Sequence, residues 1–126
     1  MKLSKWQALG NDYLLVEQAE LTQPLTPDRV RQLCDYHYGV GSDGLLEIAS
    51  SDGARADLRI WNPDGSTAEL SGNGVRIVAA WLARMSGAKR VTVSVESREV
   101  EAVIVTDSNI ALDIRKVDVG DRKSVV

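Results

Sequence analysis

One segment of this chain is apolar on nearly every side, and it sets the strongest limit on the fold. Residues 75–83 read VRIVAAWLA, in which Arg76 is the single charged residue. Ser71 precedes the segment and Gly87 follows it as a typical C-terminal stop, so the pattern predicts a helix that begins near Gly72. A helix that is apolar nearly all round has to be enclosed nearly all round. The rest of the chain must therefore wrap around it.

The segments on both sides of this helix read as β-strands. Apolar and polar residues alternate there, which is typical of strands with one face in the core, at 5–8, 57–60, 90–95 and 110–115. The stretches 13–16 and 99–106 read as further strands. We therefore predict an α+β fold, a curved and mostly antiparallel sheet wrapped around a central helix, over residues 1–116. Residues 117–126 lose the alternation and are predicted to be an interdomain connection or a frayed tail.

A shorter helix is predicted ahead of the central one. The segment 26–28, Thr-Pro-Asp, combines a cap residue, a proline suited to the first helical position and an acid near the positive end of the helix dipole. Val30, Leu33 and Cys34 follow at helical spacing, so one apolar stripe faces a sheet. This pattern places Cys34 on the buried side, where we expect a structural thiol rather than a reactive one.

Composition excludes several classes of protein. Fifteen Lys and Arg against eighteen Asp and Glu give a net charge of −3, which is no footprint for a nucleic-acid-binding protein. No apolar run reaches the length of about 18 residues that a membrane span needs, and the N-terminus lacks the apolar core of a signal peptide. We therefore expect no membrane association and a cytoplasmic location. One cysteine, one histidine and scattered carboxylates predict neither a disulfide nor a metal site.

The start of the central helix is the first candidate site. Residues 69–76 read ELSGNGVR, so two glycines flank Asn73 directly behind Ser71. Backbone N–H groups at a helix N-terminus attract anions, and glycines allow a ligand to approach them closely. A small molecule that carries a carboxylate would fit there. The alternative is that Ser71 is only the N-cap and that the glycines only make the turn.

Three other polar turns follow predicted strands or helices, and each is weak by itself. They are the segments 10–12, 39–44 and 62–65. Asn11 and Asn62, in the first and the last of these turns, could read an ammonium or carboxylate group. The glycine-rich segment 39–44 follows a helix and leads into a strand, which is the reverse of the order in a dinucleotide-binding fold, and it lacks the Gly-Lys-Ser/Thr ending of a P-loop.

Taken together and in order, four stretches resemble the N-terminal half of a diaminopimelate epimerase. They are LGND at 9–12, GVGSDGLL at 39–46, WNPDGSTAE at 61–69 and SGNGVR at 71–76, within a resemblance that covers roughly residues 3–120. The resemblance implies two similar domains, each a sheet around a central helix, that close over the substrate. It also implies a cofactor-independent epimerase that interconverts LL- and meso-diaminopimelate in lysine and cell-wall precursor synthesis, with no pyridoxal phosphate.

The resemblance also assigns residues to the site. The family's substrate-contacting positions fall on four residues of this chain, which are Asn11, Asn62, Gly72 and Asn73. A further family position, often a glutamine, falls on Gly44, so that contact is missing. The family's catalytic cysteine falls on Ser71. Family enzymes use two cysteines on opposite faces of the α-carbon, one as a thiolate that removes the proton and one as a thiol that donates it.

A serine at position 71 changes this chemistry. An alcohol is a far weaker acid than a thiol, and it gives no anion at neutral pH unless a neighbour takes its proton. His37, Asp64 and Glu69 are candidates for that neighbour, although a loop or surface role is expected for each of them. The half that carries the second catalytic residue is not part of these 126 residues.

Three functions follow as hypotheses. The first is an amino-acid epimerase whose N-terminal half is inactive or nearly so without a complementary C-terminal half. The second is a binding module for an amino diacid that has lost the chemistry, where Ser71 could also be an engineered replacement of a thiol. The third is a homodimer of half-domains with one Ser71 on each side of a pocket.

Overall fold

The computed structural model describes residues 3–8, 10–37, 39–96, 98–106 and 109–116. In these residues the strands are β1 Ser4–Ala8, β2 Asn11–Glu17, β3 Leu45–Asp52, β4 Arg55–Trp61, β5 Thr67–Ala68, β6 Arg90–Val95, β7 Arg98–Thr106 and β8 Asn109–Lys116. The helices are α1 Pro27–Cys34 and α2 Gly72–Ser86, and a 3₁₀ turn spans Gln18–Glu20. The predicted connection or tail at 117–126 lies outside the described residues.

The strands form one mixed sheet in the order β1-β2-β3-β4-β6-β7-β8, with β5 paired to β4. Two neighbouring pairs, β2/β3 and β4/β6, are parallel. Each of these pairs is joined by a crossover that contains a helix, α1 in the first and α2 in the second, as parallel strands require. The other pairings are antiparallel. The predicted α+β class and mostly antiparallel sheet are confirmed.

The sheet curls around α2. This helix contacts β1 and β8, which are the two outer strands of the sheet order, as well as β4, β6 and β7 between them. A flat sheet of this width could not bring both outer strands to one helix. The predicted wrapping around a central helix is therefore confirmed, although the enclosure is partial, because Ala80, Trp81 and Ala83 are only half-buried.

The two faces of the sheet carry separate apolar clusters, one under each helix. The cluster under α2 includes Tyr13, Leu15, Leu46, Ile60, Val75 and Val78. The cluster under α1 consists of Leu14, Val16, Val30, Leu33, Cys34, Leu45 and Trp61. Strands that are covered on both faces need apolar residues at successive positions, which explains the unbroken apolar run at 13–16.

Local signals at the helix ends behave as predicted. The Thr26 hydroxyl accepts a hydrogen bond from the backbone N of Arg29 at 3.2 Å, which caps α1. Gly87 ends α2 with φ 75° in the left-handed region. Within the described residues, neither helix combines the length and the apolar character that crossing a membrane requires.

Cys34 lies inside the α1 cluster, as predicted. It is 2% exposed, and the Ser42 hydroxyl donates a hydrogen bond to its Sγ at 3.2 Å. Burial raises the pKa of the Cys34 thiol, and the hydrogen bond from Ser42 offsets part of that rise. A thiol in this environment is a structural group.

Candidate functional site at the start of the central helix

Ser71 is the N-cap of α2. Its Oγ accepts a hydrogen bond from the backbone N of Gly74 at 3.1 Å, and its carbonyl oxygen accepts one from Val75 at 2.9 Å. The N–H groups of Gly72 and Asn73 belong to the same first turn, and no acceptor among the described residues is hydrogen-bonded to them. Together with the positive end of the helix dipole, these N–H groups form a donor-rich corner that suits an anion. The cap is thus established, while a ligand role remains a prediction.

The lack of a side chain serves a different structural purpose at each of the two glycines of this turn. A Cβ at Gly74 would lie 2.9 Å from Cδ2 of Leu46, so the glycine allows the start of α2 to approach β3 closely. A Cβ at Gly72 would meet only Nη1 of Arg76, at 3.3 Å. Gly74 therefore serves helix-to-sheet packing. Gly72 leaves its backbone accessible and has the Arg76 guanidinium next to it.

Tyr13 connects the sheet to residue 71. Its Oη lies 3.1 Å from Oγ of Ser71. Its ring lies against Gly44, where a Cβ would be 2.8 Å from Cε1 of Tyr13 and 3.0 Å from the carbonyl oxygen of Trp61. The ring therefore fills the space that a side chain at position 44 would need. This is the position at which the family resemblance implies a glutamine.

Asn62 continues the same row of residues across the sheet. Leu14 pairs with Leu45 and Leu45 pairs with Trp61, so the residues beside them, Tyr13, Gly44 and Asn62, follow one another on neighbouring strands. Asn62 directly follows Trp61, the last residue of β4. If the alternation of the strand continued by one residue, the Asn62 side chain would lie on the α2 face, whereas the turn after it packs on α1, where Arg31 Nη1 donates to the carbonyl oxygen of Asp64 at 3.1 Å. Asn62 is half-buried, and its Nδ2 donates to Oγ of Ser66 at 3.0 Å.

Asn11 is the first residue of β2 and lies two positions before Tyr13. The alternation places both side chains on the α2 face. Asn11 is half-buried and pairs with Ala8 of β1. Asn11 and the 71–73 segment thus lie toward one end of this face, joined through Tyr13, and the register puts Asn62 at the same end of the sheet.

The three candidate proton acceptors for Ser71 are exposed, and the described residues show no hydrogen bond between any of them and Ser71 Oγ. His37 is exposed in the loop that follows α1. Asp64 is exposed and accepts hydrogen bonds from the backbone N and the hydroxyl of Ser66 at 2.9 and 2.6 Å, which lower the pKa of its carboxyl. Glu69 is exposed as well. Among the described residues, the hydrogen bonds of Ser71 Oγ are those with Tyr13 and Gly74.

The contact between Tyr13 and Ser71 was not predicted from the sequence. The apolar neighbours of Tyr13 make it read as one more residue of a buried strand. A signal was present, because Tyr13 is two positions after Asn11 and therefore shares a face with a candidate site residue. A polar phenol on that face, buried to 9% exposure, needs a hydrogen-bond partner.

Proteins similar to this chain in sequence include several diaminopimelate epimerases. The sequence model of the family described as diaminopimelate epimerase matches residues 3–123. The diaminopimelate epimerase of a Synechocystis species is 38% identical over 123 residues, which cover 96% of this chain and 43% of the relative. Diaminopimelate epimerase 2 of a Nostoc species is 51% identical over 83 residues, which cover 65% of this chain and 29% of the relative. The chain thus spans about two fifths of the length of relatives that match it over 95% or more of its own length.

Solved structures share the fold at low sequence identity. A predicted epimerase from Pseudomonas aeruginosa superposes with a TM-score of 0.57 at 15% identity, over 83% of this chain and 36% of that one. A phenazine biosynthesis protein of the PhzF family from Bacillus anthracis gives a TM-score of 0.54 at 16% identity, over 90% of this chain and 38% of that one. These likenesses establish the fold alone. The match to the family over nearly the whole chain goes further: the chain belongs to the diaminopimelate epimerase family.

Proposed function

We propose that this chain forms the N-terminal half of a cofactor-independent diaminopimelate epimerase, in which residue 71 faces the α-carbon of the substrate. Ser71 would be the catalytic position of this half. Asn11, Asn62, Gly72 and Asn73 would bind the amino and carboxylate groups around the α-carbon. Lysine and cell-wall precursor synthesis, and a cytoplasmic location, belong to the same proposal.

The observation that carries the proposal is the position of the α2 N-terminus over the sheet. The contact between Ser71 Oγ and Tyr13 Oη brings the start of α2 close to the N-terminal end of β2, which begins at Asn11. The N–H groups of Gly72 and Asn73, and the guanidinium beside Gly72, offer hydrogen bonds and positive charge at this corner. A carboxylate binds well to such a donor set, and an amide side chain can accept from an ammonium group.

An epimerase needs groups on both faces of the α-carbon, and this half supplies one. Inversion requires a base that removes the proton on one face and an acid that delivers a proton to the other. Each such general acid or base contributes about 100- to 10,000-fold to the rate. The chain by itself is therefore expected to bind the amino diacid without inverting it. A complementary half, in a second domain or a second chain, would supply the other group.

Proton exchange tests this proposal. The chain is incubated with LL-diaminopimelate in heavy water, and incorporation of deuterium at the α-carbon is followed by NMR. We expect no appreciable exchange with the chain alone. A Ser71→Cys variant joined to the C-terminal half of a family enzyme should gain exchange and inversion, because the thiol restores an accessible anion. Rapid exchange by the unjoined chain would contradict the proposal.

A second candidate function is an amino-diacid-binding domain without chemistry. The observation in its favour is that the Ser71 hydroxyl is hydrogen-bonded to Gly74 and Tyr13 and, among the described residues, to no carboxylate or imidazole. Calorimetric binding of diaminopimelate is expected under both candidates. Only under the epimerase proposal does the Ser71→Cys fusion become active.

A sedimentation measurement would show whether two copies of the chain associate, as the homodimer hypothesis requires.

A further inference from the structure

The phenol of Tyr13 is held rigidly against residue 71. Its ring is buried to 9% exposure in the α2 cluster and lies against Gly44, where even a Cβ would come within 2.8 Å of it. Its hydroxyl lies 3.1 Å from Oγ of Ser71, which is half-buried at the start of α2. Gly44 and Tyr13 are thus complementary. The absence of a side chain at one position allows the other to reach residue 71.

Whichever of the two hydroxyls donates to the other, the pair keeps one O–H hydrogen that it can donate to a third group. Ser71 Oγ has two lone pairs and one hydrogen, and the N–H of Gly74 occupies one lone pair. If Tyr13 donates, the second lone pair is filled and the Ser71 hydrogen points away from both partners. If Ser71 donates, Tyr13 keeps its own hydrogen to offer. A phenol is a much stronger acid than an aliphatic alcohol, so the first arrangement is favoured.

We propose that Tyr13 is the proton partner of residue 71, so that the phenol and the hydroxyl act as one acid–base unit at the start of α2. This inference rests on the proposed function and supplies the neighbour that a serine at this position needs. Because Tyr13 acts through Ser71 and is not placed against the substrate, it is a positioning residue.

When residue 71 is the acid, the proton transfer begins on the opposite face of the α-carbon. A base of the complementary half, a thiolate by the family resemblance, removes the α-proton from the opposite face, and the electron pair of the broken C–H bond stays on the α-carbon. That pair takes the proton of the Ser71 hydroxyl, while the Tyr13 hydroxyl gives its proton to Ser71 Oγ. Ser71 is regenerated, and the negative charge ends on the Tyr13 phenolate. In the reverse direction the phenolate takes the proton of Ser71 while Ser71 takes the α-proton.

Two guanidinium groups lie on the residues that neighbour the pair. From α2, the Arg76 guanidinium lies beside Gly72, next to Ser71 in the chain. From β1, the residue opposite Tyr13 is Trp6, over whose ring the Arg84 guanidinium lies at 5.0 Å. Ahead of β3, Gly44 lies against the Tyr13 ring, and Leu46 of β3 belongs to the same apolar cluster as Tyr13. The nearest carboxylates along the chain are those of Asp12, next to Tyr13, and Asp43, next to Gly44, and the Asp43 carboxylate accepts a hydrogen bond from the backbone N of Asp12.

A thiol introduced by Ser71→Cys reports on this hydrogen bond. Its alkylation by iodoacetamide is measured from about pH 6 to about pH 10 in the Ser71→Cys chain and in the Ser71→Cys, Tyr13→Phe chain, and peptide mapping separates residue 71 from Cys34. A donor that stabilises the thiolate lowers the pKa of the thiol. We expect Tyr13→Phe to slow alkylation about 3- to 10-fold near pH 7 and to change the high-pH plateau by less than about twofold.

Two controls make the result specific. Tyr36→Phe removes an exposed phenol that donates to Asp43 at 3.2 Å, and it should leave the alkylation curve of residue 71 unchanged. Circular dichroism should show that the Tyr13→Phe chain, which keeps the ring, is folded. Superimposable curves with Tyr13 and with Phe at position 13 would overturn the inference. Failure of diaminopimelate to bind would overturn the proposed function instead, and the thiol measurement, which needs no ligand, would still decide on Tyr13.

Discussion

Glu47 of β3 and Trp61 of β4 are joined by a buried hydrogen bond, in which the indole Nε1 donates to Oε1 of Glu47 at 2.9 Å. Glu47 is 2% exposed, and its other oxygen accepts from Nε2 of Gln18 at 3.0 Å. The guanidinium of Arg59, the cross-strand partner of Glu47, lies 5.9 Å from the Trp61 ring centroid. This contact fixes the last residue of β4, directly before Asn62 of the proposed site.

The loss of stability on replacing Glu47 should therefore depend on whether the new side chain still provides an acceptor for the Trp61 indole N–H. Glu47→Ala should lower the free energy of unfolding by about 2–4 kcal/mol, because the N–H of Trp61 loses its acceptor and a cavity opens. Glu47→Gln should cost about 1 kcal/mol, since the amide oxygen can still accept from Trp61 and the amide of Gln18 can turn to match. Urea unfolding followed by tryptophan fluorescence measures both. Equal losses in the two variants would show that the hydrogen bond contributes little.

The two helix caps give a matched pair of predictions. Ser71→Ala removes the acceptor of Gly74 N–H and the partner of the Tyr13 hydroxyl, so it should destabilise the chain by about 1–2 kcal/mol. Thr26→Ala removes only the exposed cap of α1 and should cost about 0.5–1 kcal/mol. Thermal unfolding of both variants provides the comparison. A smaller loss for Ser71→Ala than for Thr26→Ala would contradict the two-bond description of residue 71.

The parts of the fold that were predictable from sequence depend on short-range signals. The caps at Thr26 and Ser71 and the stop at Gly87 act on residues within four positions, so they can be read directly from the chain. The wrapping around α2 was predictable as well, because an apolar helix has few other ways to bury its surface. The short strand β5 was not predicted, since two residues carry no measurable alternation.

The contacts that the sequence did not predict depend on the register between distant strands. Nothing in the neighbourhood of Tyr13 indicates that its hydroxyl meets a residue 58 positions away, because that contact requires β2, β3 and α2 to be in place. The same holds for Gly44, which reads as a turn residue and whose lack of a Cβ proves to make room for the Tyr13 ring. The roles of Asn11, Asn62, Gly72 and Asn73 toward a ligand remain predictions.

Cys34 should make the stability of the chain depend on alkaline pH. Burial raises the pKa of its thiol in the folded state, so the unfolded chain ionises first as pH rises. The contribution of the thiol is fully present below the unfolded pKa of about 8.5 and is lost as pH rises toward the folded pKa. Urea unfolding at about pH 7 and about pH 9.5 should therefore show a larger loss for the native chain than for Cys34→Ala. Parallel losses in the two chains would contradict this description.

Gly72 and Gly74 allow the stability of the turn to be separated from its proposed ligand role. Gly74→Ala should destabilise the chain by about 1–3 kcal/mol, because its Cβ would lie 2.9 Å from Leu46 Cδ2 in the core. Gly72→Ala should leave stability unchanged or raise it by up to about 1 kcal/mol, since its Cβ meets only the movable end of Arg76 and the unfolded chain loses entropy. Both are measured by urea unfolding.

Gly72→Ala should weaken the binding of diaminopimelate although it does not lower stability. If the N–H groups at 72 and 73 hold a carboxylate, a methyl group at position 72 crowds the ligand against the backbone, and the affinity of Gly72→Ala for diaminopimelate should fall about tenfold or more. Isothermal titration calorimetry on the stable Gly72→Ala chain measures this without a folding defect. Unchanged affinity in a folded Gly72→Ala chain would place the carboxylate away from the start of α2, and the anion-binding assignment of this turn would then be wrong.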